Sequence, residues 1–122
     1  MKEITKAKDV FELMCESLKD MEQEYCIAIT VNNANILQGI HWISCGTDTS
    51  VTISNKMIAK KAVCDNASGV ILVHNHPSGN PKPSIADIKS TEELRNGLDF
   101  LDISLMDHVI IAGDKFYSFV EN

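Results

Sequence analysis

The sequence GVILVHNHPSGNPKPSIAD, which spans residues 69–87, decides the fold. It opens with an uninterrupted apolar run, which is typical of a strand buried on both faces of a sheet. It ends with Ser84 and Asp87, a serine and an acidic residue three positions apart that indicate the first turn of a helix. The loop between them holds all three prolines of the chain, so it is stiff although it lacks regular structure. A buried strand, a stiff loop and a helix in this order indicate an α/β protein.

Apolar periodicity on either side of this stretch predicts the remaining elements. They are a helix over 6–19, strands over 25–31 and 36–45, a short extended piece over 51–53, a helix from Ser54 to about 66, and strands over 104–112 and 115–120. With the strand that starts at Gly69 and a helix over 84–101, the order is α-β-β-α-β-α-β-β. We therefore expect one domain, residues 1–122, in which helices pack on a mixed β-sheet.

Apolar residues mark the last two helices. Met57, Ile58, Ala62 and Val63 mark the second helix, and Ile88, Leu94, Leu98 and Leu101 are predicted to face the core in the third.

Composition excludes several classes of protein. Of the 122 residues, 44% are hydrophobic and 23% are charged, which excludes disordered, collagenous and coiled-coil chains. The 11 basic and 17 acidic residues give a net charge of −6, which disfavours indiscriminate binding to nucleic acid or anionic membranes. No stretch is long enough to span a membrane and no signal peptide is evident, so we expect a cytoplasmic protein.

The four cysteines do not form a recognisable metal or redox motif. None of them belongs to a C-x-x-C pair, which is the spacing typical of zinc knuckles and redox sites. Cys15 and Cys64 lie within helical patterns and Cys26 within a strand pattern. We expect reduced thiols that behave as small core residues.

Two histidines at the end of the buried strand predict a metal site. Residues i and i+2 of a strand point to the same side, so His74 and His76 present two imidazoles together at the carboxyl end of the strand. Asp87, at the start of the next helix, is placed to turn back toward them. Two imidazoles and one carboxylate leave one position open on a tetrahedral zinc, which is the ligand count of a catalytic site.

Hydrolysis at such a site also requires a proton carrier. A catalytic zinc lowers the pKa of its bound water to about 7, and a carboxylate takes the proton and passes it to the leaving amine. Glu24 and Glu22 are both candidates, because they lie just before the first buried strand.

Other interpretations of these residues need no metal or ligand. Ser84 and Asp87 also form a capping box, which stabilises a helix without any ion. His41 and His108 are expected to pack or to form hydrogen bonds. The lysines of the second helix, Lys56, Lys60 and Lys61, are expected to form a solvated face.

These residues resemble the pattern of a known family. The spacing His-x-His, then Ser and Asp, with a glutamate well upstream, is similar to the JAMM motif of the MPN metalloprotease superfamily. More closely, VILVHNHPSGNPKPSIADI and DHVIIAGDKFYS resemble the C-terminal domain of the RadC family, and the resemblance covers nearly the whole chain. It implies a cytidine-deaminase-like α/β architecture, a Zn²⁺ ion, and hydrolysis of a peptide or isopeptide bond in a protein or peptide substrate.

The resemblance implies a role for each matching residue. His74, His76 and Asp87 match the zinc ligands, and Ser84 matches the serine that supports the oxyanion of the tetrahedral intermediate. Glu24 matches the general base.

Glu24 is preferred to Glu22 because the family glutamate precedes an aromatic residue, as Glu24 precedes Tyr25. The chain departs from the family pattern at Asn80 and Lys82, which concern substrate choice. It departs again at Asp102, which stands where glycine is frequent and would strain a left-handed helix cap.

The traditional link between RadC proteins and DNA repair leaves an alternative function, that of a DNA-repair-associated accessory or binding module. The DNA-contacting helix-hairpin-helix region of many RadC proteins has no counterpart in these 122 residues. Four lysines within residues 25–83, without interleaved aromatic residues, are a weak signal for nucleic-acid binding. Zinc-dependent nucleobase deamination shares the implied architecture, but its H-x-E and P-C-x-x-C signature is missing.

Overall fold

Helices and strands follow the predicted order in the computed structural model, which describes residues 1–45 and 54–122. The bounds are α1 Ala7–Leu18, β1 Tyr25–Val31, β2 Leu37–Cys45, α2 Asn55–Cys64, β3 Gly69–Asn75, α3 Ile85–Phe100, β4 Ser104–Ala112 and β5 Lys115–Ser118. The predicted mixed α/β fold is therefore confirmed. The extended piece predicted at 51–53 lies outside the described residues.

The five strands form one mixed sheet with β3 at its centre. Their spatial order is β2-β1-β3-β4-β5, in which β3 and β4 run parallel and the other neighbours run antiparallel. Every residue of β3 is buried, as the uninterrupted apolar run at Gly69 predicts. The site residues at the end of β3 therefore rest on the least exposed strand of the sheet.

Helices cover both faces of the sheet. Successive residues of β1 point to opposite sides, and the two sides belong to separate core clusters. Ile27 and Ile29 pack with residues of α1, whereas Cys26 and Ala28 pack with residues of α2 and α3. The helices that follow β2 and β3 thus lie on one face, and α1 lies on the other.

The predicted inward face of α3 was only half correct. Leu94 and Leu98 are buried, but Ile88 and Leu101 are exposed. Of the apolar residues that mark α2, Ile58 and Ala62 are buried, and Met57 and Val63 are exposed. The buried face of α3 continues through Thr91 instead of Ile88, because the Thr91 hydroxyl has hydrogen-bond partners in the interior.

The cysteine prediction holds for one of the three described free thiols. Cys26 is buried in the core, Cys15 is half-buried, and Cys64 is exposed on α2. Burial raises the pKa of the Cys26 thiol to about 12, so this residue behaves as a small apolar side chain.

A polar cluster joins β1 and β2 to the C-terminal end of α2. Thr30 Oγ1 donates to Asp65 Oδ2 at 2.6 Å, and His41 Nε2 lies 2.7 Å from the same oxygen. The hydrogen bond from Thr30, followed by that of His41, lowers the pKa of the Asp65 carboxyl. Gly39 makes this approach possible, since a Cβ at that position would lie 2.7 Å from Asp65 Oδ2. The prediction that His41 forms hydrogen bonds is confirmed.

Left-handed backbone follows two of the elements around the C-terminal strands. Gly113, in the hairpin between β4 and β5, has a φ of 63°, a conformation that glycine adopts readily. Asp102, just after α3, has a φ of 59° and therefore has the left-handed conformation expected for it from the sequence.

None of the helices within the described residues is both long and apolar enough to cross a membrane.

Candidate metal centre

The end of β3 and the start of α3 bring three predicted ligands together. His74 is the penultimate residue of β3 and is buried. His76 follows the strand but keeps its register, because its N–H donates to the Ile111 carbonyl of β4 at 2.8 Å. Asp87 lies in the first turn of α3, where the helix returns toward the strand end.

The ligating atoms of these three residues converge on one point. His74 Nε2 lies 2.8 Å from His76 Nε2, and the Asp87 carboxylate oxygens lie 3.6 Å from His74 Nε2 and 3.3 Å from His76 Nε2. All three ligating atoms fall within 4.8 Å of one another, so the group could hold a metal ion. The predicted convergence is present, and ligation itself stays a prediction.

A main-chain acceptor sets the tautomer of His76. His76 Nδ1 lies 2.9 Å from the Asn80 carbonyl oxygen, which can only accept, so Nδ1 carries the hydrogen. A second hydrogen, on Nε2, faces His74 Nε2 and Asp87, and its loss would leave a free lone pair directed at the same point. This is the arrangement typical of a histidine that ligates a metal through Nε2.

The protonation states of the other two residues also suit a cation. Burial lowers the pKa of His74 to about 4, so its imidazole is neutral at pH 7. Burial disfavours the Asp87 carboxylate, yet hydrogen bonds from His76 and Ser84 hold its pKa far below the usual range. A metal ion requires neutral histidines and ionised carboxylates.

His76 holds its proton more tightly than His74. Burial lowers its pKa, but the hydrogen bonds to Asp87 and to the Asn80 carbonyl outweigh burial and raise it. A cation would therefore displace a proton shared between His76 and Asp87, which makes its binding pH-dependent.

The dimensions and the donors fit zinc. Tetrahedral zinc with Zn–N bonds of about 2.1 Å separates neighbouring ligand atoms by about 3.4 Å. The shortest separations are 2.8 Å between the two Nε2 atoms, 3.3 Å from His76 Nε2 to Asp87 Oδ2 and 3.6 Å from His74 Nε2 to Asp87 Oδ1, so the three side chains are close enough to share one ion. Two nitrogens and one carboxylate oxygen are donors that zinc accepts, and three protein ligands would leave a fourth position for a substrate or water.

The capping box predicted for α3 is also present and does not compete with the site. Ser84 N–H donates to Asp87 Oδ2 at 2.8 Å, and Asp87 N–H donates to Ser84 Oγ at 3.0 Å. The Ser84 hydroxyl oxygen accepts from the Asp87 N–H in this pair, and the Ser84 side chain also helps to lower the pKa of the Asp87 carboxyl. Both interpretations of the Ser84–Asp87 spacing are thus compatible in one structure.

Glu24 is partly buried and interacts electrostatically with two residues of the site. Burial raises the pKa of Glu24, the charge of His76 lowers it, and the charge of Asp87 raises it again. Glu22 is exposed and lies where the chain bends before β1, so it does not share an extended strand with Glu24. The geometry favours Glu24, and its role stays a prediction.

Asn75, for which the sequence pattern predicts no role, fixes the backbone on both sides of Glu24. Its Oδ1 accepts from Tyr25 N–H at 2.7 Å, and its Nδ2 donates to the Gln23 carbonyl at 2.9 Å. Because Asn75 lies between the two histidines on a strand, its side chain points to the opposite face. The sequence signal for this role was the position of Asn75 between the two histidines. Its hydrogen-bond partners could not be predicted, because they lie 50 and 52 residues away along the chain.

His108 forms hydrogen bonds, as predicted, and its partner is a residue of the candidate site. It is fully buried, its Nε2 lies 2.6 Å from His74 Nδ1, and its Nδ1 lies 2.6 Å from Thr91 Oγ1. Its ring stacks on Phe119 with a centroid separation of 4.5 Å. The role of Thr91 could not be predicted from the sequence, because one threonine in a helix carries no distinctive pattern.

Comparison with known proteins agrees with this geometry. A family model described as a RadC-like JAB domain matches residues 4–122. The chain is 40% identical over 119 residues to a UPF0758 protein of Staphylococcus epidermidis, covering 98% of this chain and 53% of that relative. It is 39% identical over 118 residues to a UPF0758 protein of Chlorobaculum parvum, covering 97% of this chain and 53% of the relative. The chain thus spans about half the length of these relatives, and it belongs to the RadC-like JAB domain family.

Proposed function

We propose that this chain hydrolyses peptide or isopeptide bonds with a zinc ion held by His74, His76 and Asp87. The observation that carries the proposal is the convergence of two imidazoles and one ionised carboxylate at the end of the central strand. Bound zinc would act as a Lewis acid that polarises a carbonyl group and makes water more acidic. Three protein ligands leave room for this chemistry, whereas a fourth would close the site.

Glu24 is the proposed general base. Its raised pKa brings the carboxyl group closer to the pH at which a base accepts and returns a proton efficiently. Glu24 would take a proton from the attacking water and deliver it to the leaving amine. Asn75 supports this role, because it holds the backbone on both sides of the residue.

Ser84 is the proposed donor to the oxyanion. Its oxygen accepts from Asp87 N–H, while the hydroxyl hydrogen can point away from the helix. A hydroxyl placed beside a developing negative charge stabilises the transition state more than the ground state. The cap on α3 thus fixes the position of a catalytic hydroxyl.

The family supports a hydrolase, and the peptide or isopeptide substrate class rests on the resemblance to the JAMM motif. The relatives are described only as UPF0758 proteins, and the chain spans about half of their length. The proposal therefore concerns the chemistry of residues 4–122, the region that the family model matches.

Zinc content and turnover of matched variants test the proposal. The purified protein should bind about one zinc per chain and cleave members of a mixed set of fluorogenic peptides and lysine-linked isopeptides. Replacing His74 and His76 together with Ala should remove both properties. Glu24→Gln should keep the zinc and abolish turnover, and Glu22→Gln, two residues away, should keep both.

Two results would contradict these assignments. If the histidine double variant kept its zinc, the ligand set would be wrong. If Glu22→Gln lost turnover while Glu24→Gln retained it, the general base would be the other glutamate.

A further inference from the structure

We infer that His108 is a positioning residue that, together with Thr91, fixes the tautomer of His74 and leaves His74 Nε2 free to ligate a metal. The inference deepens the proposed function and rests on it for the metal. The tautomer itself is a property of the protein without any ion, and it can be measured separately.

A continuous chain of short hydrogen bonds leads away from His74 into the core. His74 Nδ1 lies 2.6 Å from His108 Nε2, and His108 Nδ1 lies 2.6 Å from Thr91 Oγ1. Thr91 Oγ1 in turn lies 2.7 Å from the Asp87 carbonyl oxygen. The three side chains, His74, His108 and Thr91, are almost completely buried, so water does not compete for these bonds.

The last hydrogen bond of this series, at the Asp87 carbonyl, determines where each proton lies. A carbonyl oxygen cannot donate, so the 2.7 Å contact with Asp87 requires the Thr91 hydroxyl to donate its only hydrogen there. Thr91 Oγ1 must then accept from His108, which places a hydrogen on His108 Nδ1. His108 Nε2 is left as the acceptor of a hydrogen on His74 Nδ1.

The result at His74 is the tautomer that a metal ligand needs. With its hydrogen on Nδ1, the ring directs an unprotonated Nε2 toward His76 and Asp87. His108 is fully buried, and because burial disfavours a charged imidazole, this ring is neutral and able to accept. In the reverse arrangement, a hydrogen on His74 Nε2 would block the site.

The same series of hydrogen bonds joins two of the proposed ligands through the interior. It begins at the side chain of His74 and ends on the main chain of Asp87. Phe119 stacks on the face of the His108 ring, and the angle between the two ring planes is 6°. The orientation of His74 thus depends on residues of α3 and β4 that do not touch the metal position.

Nitrogen NMR of the metal-free protein tests the tautomer directly. Long-range ¹H–¹⁵N correlations should show His74 and His108 as neutral rings with the hydrogen on Nδ1. Thr91→Val keeps the side-chain shape but removes the hydroxyl, so the His74 tautomer should become mixed. Zinc affinity, measured by competition with a chromophoric chelator, should fall by about 10- to 100-fold.

Rescue and control variants separate positioning from general stability. Thr91→Ser keeps the hydroxyl and should restore both the tautomer and the zinc affinity. Thr30→Val removes another fully buried hydroxyl, which bonds to Asp65, and should leave both readouts unchanged. His108→Phe keeps an aromatic ring against Phe119 but removes the acceptor, and should weaken zinc binding at least as much as Thr91→Val.

The outcomes distinguish this inference from the proposed function. A His74 ring with its hydrogen on Nε2 in the wild-type protein would overturn the inference. So would a Thr91→Val protein with an unchanged tautomer and a zinc affinity within threefold of the wild type. A wild-type protein that bound no zinc would instead overturn the proposed function, while the NMR measurement would still decide the tautomer.

Discussion

Replacing Asn75 with Ala should release the backbone on both sides of Glu24. The substitution removes two hydrogen bonds, of 2.7 Å to Tyr25 N–H and 2.9 Å to the Gln23 carbonyl. Each such bond contributes about 1 kcal/mol, so the free energy of unfolding should fall by about 2 kcal/mol. With a urea dependence of about 1.5 kcal/mol per M, the midpoint of unfolding should fall by about 1.3 M.

The same variant should separate metal binding from turnover. The Asn75 side chain lies on the opposite face of β3 from the imidazoles, so the zinc affinity should stay within about threefold of the wild type. Turnover should fall by about 100-fold, because a displacement of about 1 Å in a catalytic group has effects of that size. Asn80→Ala is a suitable control for stability, since the side-chain oxygen of this exposed asparagine accepts a local hydrogen bond from Lys82 N–H at 3.1 Å.

Two results would refute the reasoning about Asn75. An unchanged urea midpoint would mean that the two hydrogen bonds contribute no net stability. Loss of zinc in parallel with turnover would mean that Asn75 supports the histidines and not Glu24. In either case, Asn80→Ala should change the free energy of unfolding by less than about 0.5 kcal/mol.

Three further predictions concern other parts of the molecule. Asp102→Gly should raise the free energy of unfolding by about 0.5–1 kcal/mol in thermal denaturation, because glycine adopts the left-handed φ of 59° without strain; a lower melting temperature would contradict this. The Thr30 hydrogen bond lowers the folded-state pKa of Asp65, so the stability that the carboxylate contributes is present above the unfolded value near 3.8 and is lost as the pH falls below it. The difference in free energy of unfolding between wild type and Asp65→Asn should therefore shrink between pH 6 and pH 3, and a difference that grew would refute the assignment. Because the net charge is −6, duplex DNA should show no retardation at low salt, whereas salt-dependent retardation would favour the alternative function.

The parts of the site that depend on local sequence were predictable. Alternation along a strand places His74 and His76 on one side, and helix-start chemistry places Ser84 and Asp87 in one turn. Both rules operate over a few residues, and the stiff loop between these segments limits where they meet. The central strand of the sheet was predictable for the same reason, because the apolar run that begins at Gly69 is uninterrupted.

The supporting residues depend on long-range register, which periodicity does not reveal. His108 reaches His74 because the parallel pairing of β3 and β4 sets Leu72 opposite His108. A pattern of apolar residues also takes no account of polar ones. It therefore predicts a buried Ile88, whereas Thr91 occupies the buried position. A polar side chain that forms hydrogen bonds in the interior thus occupies a core position that the apolar pattern assigns to another residue.

The two imidazoles of the site differ in how freely their surroundings can change during evolution. The partner of His76 is the main-chain carbonyl of residue 80, which every amino acid provides, whereas the partner of His74 is the side chain of His108. Substitutions at Asn80 therefore need not disturb His76, provided the loop keeps its path. Variation in this exposed loop can alter which molecules approach the site, while the interior half of the same site tolerates little change. The chemistry and the selection of substrates can thus diverge independently in a domain of this size.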